Sequence, residues 1–477
     1  MNLGKRCFSF FAIVAIIGFS VQSWAEGHLK TGEKSNAVEV YITKPDKSVL
    51  FQKQNPAVLN VADKSMPVIE IQADKTFQEM DGFGFTLTGG SAFHINNMSA
   101  TKRHELLKEL FGFDGENIGI SYLRVSLGAS DLDAEVFSYN DLLQGETDVN
   151  MERFSLDPDK KFLIPVLKEI LAINPEIKIL ASPWSPPTWM KTNNASKGGS
   201  LKPEYYDAYA KYFVKYVQEM QKNGIRIDAI TVQNEPLHPG NNPSLLMPAP
   251  EQADFIKRSL GPAFKAAGLK TKIIIYDHNA DKPEYPISVL NDPDAKKYID
   301  GSAFHLYGGV IENVSKVHEA HPDKNLYFTE QWIGAPGNFG GDLQWHVKNL
   351  IIGASRNWCK TVLEWNLAAD SKQKPHTPGG CTQCLGAVTI DGDQVIRNPA
   401  YYIVAHASKF VRPGSVRVET NIPPGLPNVA FRTPDGKFVI VVLNDADSIK
   451  SFNIQLGGKT FGFALEKGSV ATFVAAN

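Results

Sequence analysis

The chain has 477 residues, 43% of them hydrophobic and 21% charged, which is ordinary globular composition and enough length for one large domain plus a small one. Its formal net charge of −2, with no run of five or more Lys or Arg, leaves nothing to neutralise a phosphate backbone, so nucleic acid is not expected as a partner.

The first element in chain order is "MNLGKRCFSFFAIVAIIGFSVQSWAEG". Lys5 and Arg6 precede an apolar run from Phe8 to Phe19, and small residues follow at Ser23 and Ala25, the pattern of a secretory signal over residues 1–25. A membrane anchor needs about 20 apolar residues, and this run is shorter. No comparable stretch follows, so the mature chain is expected to be secreted or periplasmic, without stable membrane insertion.

Residues 36–75 ("VEVYITKPDKSVLFQKQ", "PVIEIQAD") and 410–477 ("SVRVETN", "KFVIVVLND", "SFNIQLGG", "GSVATFVAA") alternate like antiparallel strands separated by turns. The two chain ends, 26–75 and 406–477, are therefore expected to build one β-sandwich. Between them, short apolar runs recur, each ending in polar or aromatic residues. In order they are "GFGFTLTG", "ISYLRVSLGASD", "IKILASPWSPP", "IDAITVQNEP", "TKIIIYDHN", "DGSAFHLYGG", "KNLYFTEQW" and "KTVLEWNLA". Helical periodicity fills the gaps, as in Glu204–Gly224 and Ala249–Gly268, the first ending on a capping glycine. Eight strands alternating with helices predict a parallel (β/α)8 TIM barrel over 76–405, with a doubly wound sheet as the alternative.

Barrels carry their chemistry at the C-terminal ends of the strands. Arg124, Asp131, Trp184, Asn234, Glu235, Asp277, His278, His305, Tyr307, Glu330, Trp332, Glu364 and Trp365 fall there by sequence. Glu235 leaves the fourth strand and Glu330 the seventh, so the two carboxylates would face each other across the mouth. Such a pair cleaves a glycosidic bond when one protonates the leaving oxygen and the other attacks the anomeric carbon. Asn234 beside the acid would bond a sugar 2-hydroxyl, and Tyr307 would steady the nucleophile. All six mature tryptophans lie in the barrel region, and three stand at or just past strand ends, where their faces can stack on a sugar.

Cys7 leaves with the signal. Cys381 and Cys384, in "GGCTQCLG", fit either a local disulfide in an oxidising compartment or half a zinc site, and no second CxxC completes four ligands; Cys359 reads as a buried free thiol. No GxSxG, GxxxxGK[ST] or HExxH motif occurs. His318 and His321 share a helix face without a third ligand and read as solvated surface. No metal and no organic cofactor is expected.

The motifs "DGFGFTLTGGSA", "YLRVSLGASDLD", "ASPWSPPTWMKT", "TVQNEP", "FHLYGG", "YFTEQW" and "EWNLA" together resemble glycoside hydrolase family 30, the group of glucosylceramidases and endo-β-1,6-glucanases, over nearly the whole mature chain. The resemblance implies a (β/α)8 barrel with a side β-sandwich and retention of anomeric configuration. It makes Glu235 the acid/base and Glu330 the nucleophile, and it places Arg124, Asp131, Trp184, Asn234, His305, Tyr307 and Trp365 around the glucose subsite, with Asp133 the alternative to Asp131. Leu306 stands where the lysosomal glucosylceramidases place tryptophan, and "GGCTQCLG" resembles the microbial β-1,6-glucanase branch. The expected activity is a secreted retaining β-glucosidic hydrolase acting on β-1,6-glucan, with glucosylceramide as the alternative substrate and a non-catalytic carbohydrate-binding protein as the alternative from another class.

Overall fold

The computed structural model describes residues 38–57 and 65–476, so the signal expected at 1–25 lies outside them. The eight apolar runs form eight strands: β1 Gly82–Leu87, β2 Tyr122–Ser126, β3 Lys178–Ser182, β4 Ala229–Thr231, β5 Lys272–Asn279, β6 Ile299–His305, β7 Asn325–Glu330 and β8 Cys359–Asn366. All pair in parallel in chain order, and β8 returns to β1, closing the barrel. Burial on both faces explains why these runs are apolar throughout rather than alternating. Tyr122, Leu180, Ala229, Ile274, Ala303, Tyr327 and Leu363, one from each of β2 to β8, fill one layer of the interior.

The helix Tyr206–Lys222 buries Tyr209, Tyr212, Phe213, Tyr216 and Met220 at helical spacing against the outside of the barrel. Just beyond it Gly224 takes φ +82°, a left-handed turn that costs glycine little. The second helical segment runs from Ala249 to Ala266 with a π-helical piece at Ile256–Leu260.

Both chain ends enter one nine-stranded sheet, in the order Lys459–Leu465, Lys450–Leu456, Val68–Glu79, Val416–Thr420, Asn428–Arg432, Phe438–Leu443, Val470–Ala475, Val38–Thr43 and Gln52–Ala57. Its edge strands approach each other, and the folded sheet encloses its own core around Val40, Ile69, Val418, Ile440, Phe452 and Phe473. One pairing differs from the antiparallel expectation: Lys450–Leu456 runs parallel to Val68–Glu79. Apolar alternation is the same for either sense of pairing, so the pattern could not tell them apart. The barrel helix Pro399–Ser408 joins the two parts through His406, whose ring nitrogens lie 2.8 Å from the hydroxyls of Thr43 and Thr472. Burial pushes that imidazole down to about 3, so it is a neutral linker.

Candidate active site

Two residues beyond the apolar interior layer, in step with the strand period, the inward positions become polar or aromatic: Arg124, Ser182, Thr231, His305, Thr329 and Trp365. Strand β5 reaches this layer differently. Its register against β6 shifts between Tyr276 and His278, so Asp277 is an extra residue in the ladder, and Tyr276 and Asp277 have φ of +71° and +63°. Left-handed backbone at two consecutive non-glycine residues is strained, and such bulges re-aim side chains beside active sites. A like shift between Phe328 and Glu330 brings both Thr329 and Glu330 to the mouth.

Arg124 organises what these strands deliver. Its Nε donates to Ser182 Oγ at 3.0 Å, Nη1 to Glu330 Oε2 at 2.5 Å, and Nη2 to Asn234 Oδ1 at 2.6 Å and Asp277 Oδ2 at 2.9 Å. The Trp184 ring lies beside the guanidinium, 4.8 Å from its carbon. Because a guanidinium only donates, the Asn234 oxygen faces Arg124 and its NH2 is free to donate elsewhere. Asp277 also accepts from Thr231 at 2.7 Å, from Thr329 at 2.6 Å and from His305 Nε2 at 3.0 Å. Although burial alone would raise it, Arg124 and His305 hold Asp277 well below the usual carboxylate range.

Glu235 leaves β4 after only three ladder residues, in a turn where its φ is +46° and its N–H bonds the Asp277 carbonyl at 2.9 Å. Pro236 then stops the chain from continuing either a strand or a helix. The other imidazole nitrogen of His305 lies 3.3 Å from Glu235 and 3.6 Å from Glu330. Tyr307 donates to Glu330 Oε1 at 2.9 Å. One oxygen of each glutamate and one nitrogen of His305 all lie within 4.8 Å of one another, the single group among the described residues with enough facing donors for a metal ion. Arg124 already neutralises Glu330 there, which weakens the trio as a cation site. Burial would lower His305, but Glu330, Asp277 and Glu235 outweigh it and hold the imidazole up at about 9. In turn burial would raise Glu235, and His278 and His305 overcome that, holding it below the usual carboxylate range.

These groups open into a cavity of about 390 Å³ whose walls include Asp131, Trp184, Glu235, Asn241, His278, Tyr307, Glu330, Trp332 and Trp365. Of the sequence-named residues, Asp131 lines it, whereas Asp133 turns away to bond the Ser130 N–H and hydroxyl at 2.7 and 2.9 Å. Burial, and then the charge of Glu330, push Asp131 up to about 7. Cys381 and Cys384 are joined in a disulfide on the same wall, and the Cys381 N–H donates to Asp131 at 3.2 Å. At Gly380 a Cβ would stand 2.4 Å from the Asp131 carbonyl oxygen, so that loop approach needs glycine. Cys359 is a buried free thiol.

Two sequence expectations are corrected. Glu364 does not reach the mouth: the alternation of β8 turns it outward, where it meets His346 Nδ1 at 2.8 Å. His318 and His321 are not solvated surface, because His318 stacks on Trp358 with centroids 3.7 Å apart and His321 is 8% exposed. The three tryptophans at strand ends, Trp184, Trp332 and Trp365, line the cavity as expected, while Trp189 and Trp358 pack away from it and Trp345 lies on the surface. Sequence alone assigns no role to Asp277, His278 or Asn241; the consecutive polar residues ending "IIIYDHN" are the signal for the first two.

Residues 80–411 match the family model described as the glycosyl hydrolase family 30 TIM-barrel domain, and residues 414–473 that of the family 30 β-sandwich domain. The chain belongs to glycoside hydrolase family 30. Within this glycoside hydrolase family it is 33% identical over 426 residues to endo-1,6-beta-D-glucanase neg1 of Aspergillus fumigatus, covering 83% of this chain and 85% of that one. It is 31% identical to the lysosomal acid glucosylceramidase of Mus musculus, over 79% of this chain and 77% of the other. The solved structure of the endo-β1,6-glucanase BT3312 superposes with a TM-score of 0.86 at 37% identity, covering 92% of this chain and 100% of that one.

Proposed function

We propose that this family 30 hydrolase is a secreted retaining enzyme that cleaves β-1,6-linked glucan. The approach of the two glutamates carries the reading: facing oxygens within 4.8 Å agree with the carboxyl separation of about 5–5.5 Å of retaining enzymes and not with the roughly 6.5–9.5 Å of inverting ones. Glu330, steadied by Arg124 and Tyr307, attacks the anomeric carbon while Glu235 protonates the departing oxygen. In the free site the nearest proton is on His305, 3.3 Å from Glu235, which can pass it on as the substrate displaces water. Once Glu330 is esterified its negative charge is gone, and Glu235 holds a proton less readily. Glu235 then takes a proton from the incoming water, the water oxygen joins the anomeric carbon, and Glu330 leaves as a carboxylate.

The rim supports glucan over glycolipid. The loops 191–203 and 239–250 meet through Ser196 and Asn242 at 2.7 Å, and Asn242 reaches the Pro378 carbonyl on the loop 369–382 at 3.0 Å. Leu245 and Met247 point inward with no exposure, and none of the three loops exposes a large hydrophobic side chain. A lipid aglycone would need such a patch. The disulfide suits an oxidising compartment, and among the described residues no helix is long and apolar enough to cross a membrane. The test compares kcat/KM for a β-1,6-linked glucotetraose and detergent-dispersed glucosylceramide, with the first anomer of the product followed by NMR. Faster glucan cleavage and a β product are expected; a clear preference for the lipid, or an α product, overturns the reading.

A further inference from the structure

The bulge in β5 aims two side chains at the mouth, and only Asp277 is used by the frame of Arg124, Glu330 and His305. His278 is 7% exposed, lines the cavity, and takes no part in the hydrogen bonds of that frame. Its Nδ1 is buried without a hydrogen-bond partner, 3.8 Å from Glu235 Oε1, which is beyond hydrogen-bonding distance. A ring set on the cavity wall by the bulge, unused by the frame and in contact with the acid/base by charge alone, points to a group brought by the substrate.

Position says which part of the substrate. The wall of Asp131, Trp184, Trp365 and the disulfide belongs to β2, β3 and β8, and Arg124 ties it to the nucleophile. His278 is placed with His238, Asn241 and Asn279 on the opposite wall, at the exits of β4 and β5, and the acid/base is its nearest charged neighbour. Asn241 Nδ2 approaches the other oxygen of Glu235 at 3.4 Å. Groups that crowd the acid and avoid the nucleophile face the leaving side of the scissile bond.

We infer that His278 is a specificity-determining residue for the leaving sugar, its imidazole edge on the cavity hydrogen-bonding a hydroxyl of the departing glucosyl unit beside Glu235. The inference rests on the glucan reading above. A good aryl leaving group has neither that hydroxyl nor a need for protonation, so it separates the two claims.

The experiment measures wild type, H278F and H278Q on a β-1,6-linked glucotetraose and on dinitrophenyl β-gentiobioside, with melting temperatures alongside. H278F should lower kcat/KM on the tetraose about tenfold, seen mainly in KM, and lower it on the aryl substrate by a clearly smaller factor; H278Q, whose amide can still bond a hydroxyl, should recover part of the loss. Equal losses on both substrates, or no loss on either, overturn the role of His278. If wild type turns over neither substrate, the glucan reading fails instead. Should H278F not fold, H278A carries the same comparison.

Discussion

At the C-terminal end of the barrel Arg124, Asp277 and His305 carry charge with no solvent exposure, whereas at the N-terminal end Lys178 and Lys272, paired with Asp81 and Asp300, keep 34% and 39% of their side chains exposed. The N-terminal end also has the roomier cavity, about 740 Å³ against about 390 Å³ at the catalytic end. Volume therefore does not mark the site; dehydrated charge does. Removing charges from water costs several kcal/mol per ion, which only saturated hydrogen bonding offsets. Asp277, with four donors, and Arg124, with four acceptors, meet that condition. A pair whose lysine stays in water is worth about 0–1 kcal/mol as long as its carboxylate keeps another cation.

The comparison is broken most severely at Glu330. E330Q should abolish turnover of every substrate, since no glycosyl ester can form. E235Q should retain glycosylation by dinitrophenyl glycosides, and added azide should restore release of the intermediate as a β-glycosyl azide. Burst kinetics with and without azide read both variants; azide rescue of E330Q with retention would exchange the roles.

The next largest effect lies in pH-dependent stability at His305. Its folded value, about 9, lies above the ordinary 6.5, so its stabilisation is complete below about pH 6.5 and is lost as pH rises through about 9. The span corresponds to something on the order of 3 kcal/mol. Wild type should therefore lose urea resistance between pH 6.5 and 9, and H305Q, less stable throughout, should lack that decline. Parallel curves for the two proteins would show that the imidazole is neutral in the fold.

This division between the barrel ends was legible in part from sequence. The eight strands could be read because each is an apolar run bounded by polar residues, and the tips named Glu235, Glu330, Arg124 and His305 directly. What the pattern could not show is orientation. A strict two-residue alternation places Asp277 outward, and only the bulge turns it in; the same alternation, unbroken at that point, turns Glu364 out to His346. Asp131 and Asp133 lie on one side of that ambiguity, settled by a loop contact from Cys381 that is 250 residues away in sequence. Long-range contacts of this kind leave no local periodicity to read.

A smaller effect is expected at that loop. Replacing the disulfide by C381A/C384A should lower kcat/KM about fivefold, roughly one hydrogen bond's worth, because the N–H that fixes Asp131 is no longer held in place. The loss should vanish in a D131N background if it acts through Asp131. Additive losses in the triple variant would mean that the disulfide shapes the cavity by another route.

The smallest effect should be found at the N-terminal end. K178A removes the 2.7 Å partner of Asp81, which is only 6% exposed in its side chain. Lys360 stands 3.6 Å from the same oxygen and can take over the charge. The expected cost is therefore within about 1 kcal/mol, with kcat/KM unchanged on glucan. K178A/K360A removes both partners and should cost clearly more than the sum of the single changes, since Asp81 is then buried without a cation. Activity should again be unaffected at temperatures where the variant is folded. A drop in kcat/KM for K178A alone would show that charge at the N-terminal end is coupled to the mouth through the barrel interior, and the two ends would then have to be treated as one electrostatic system.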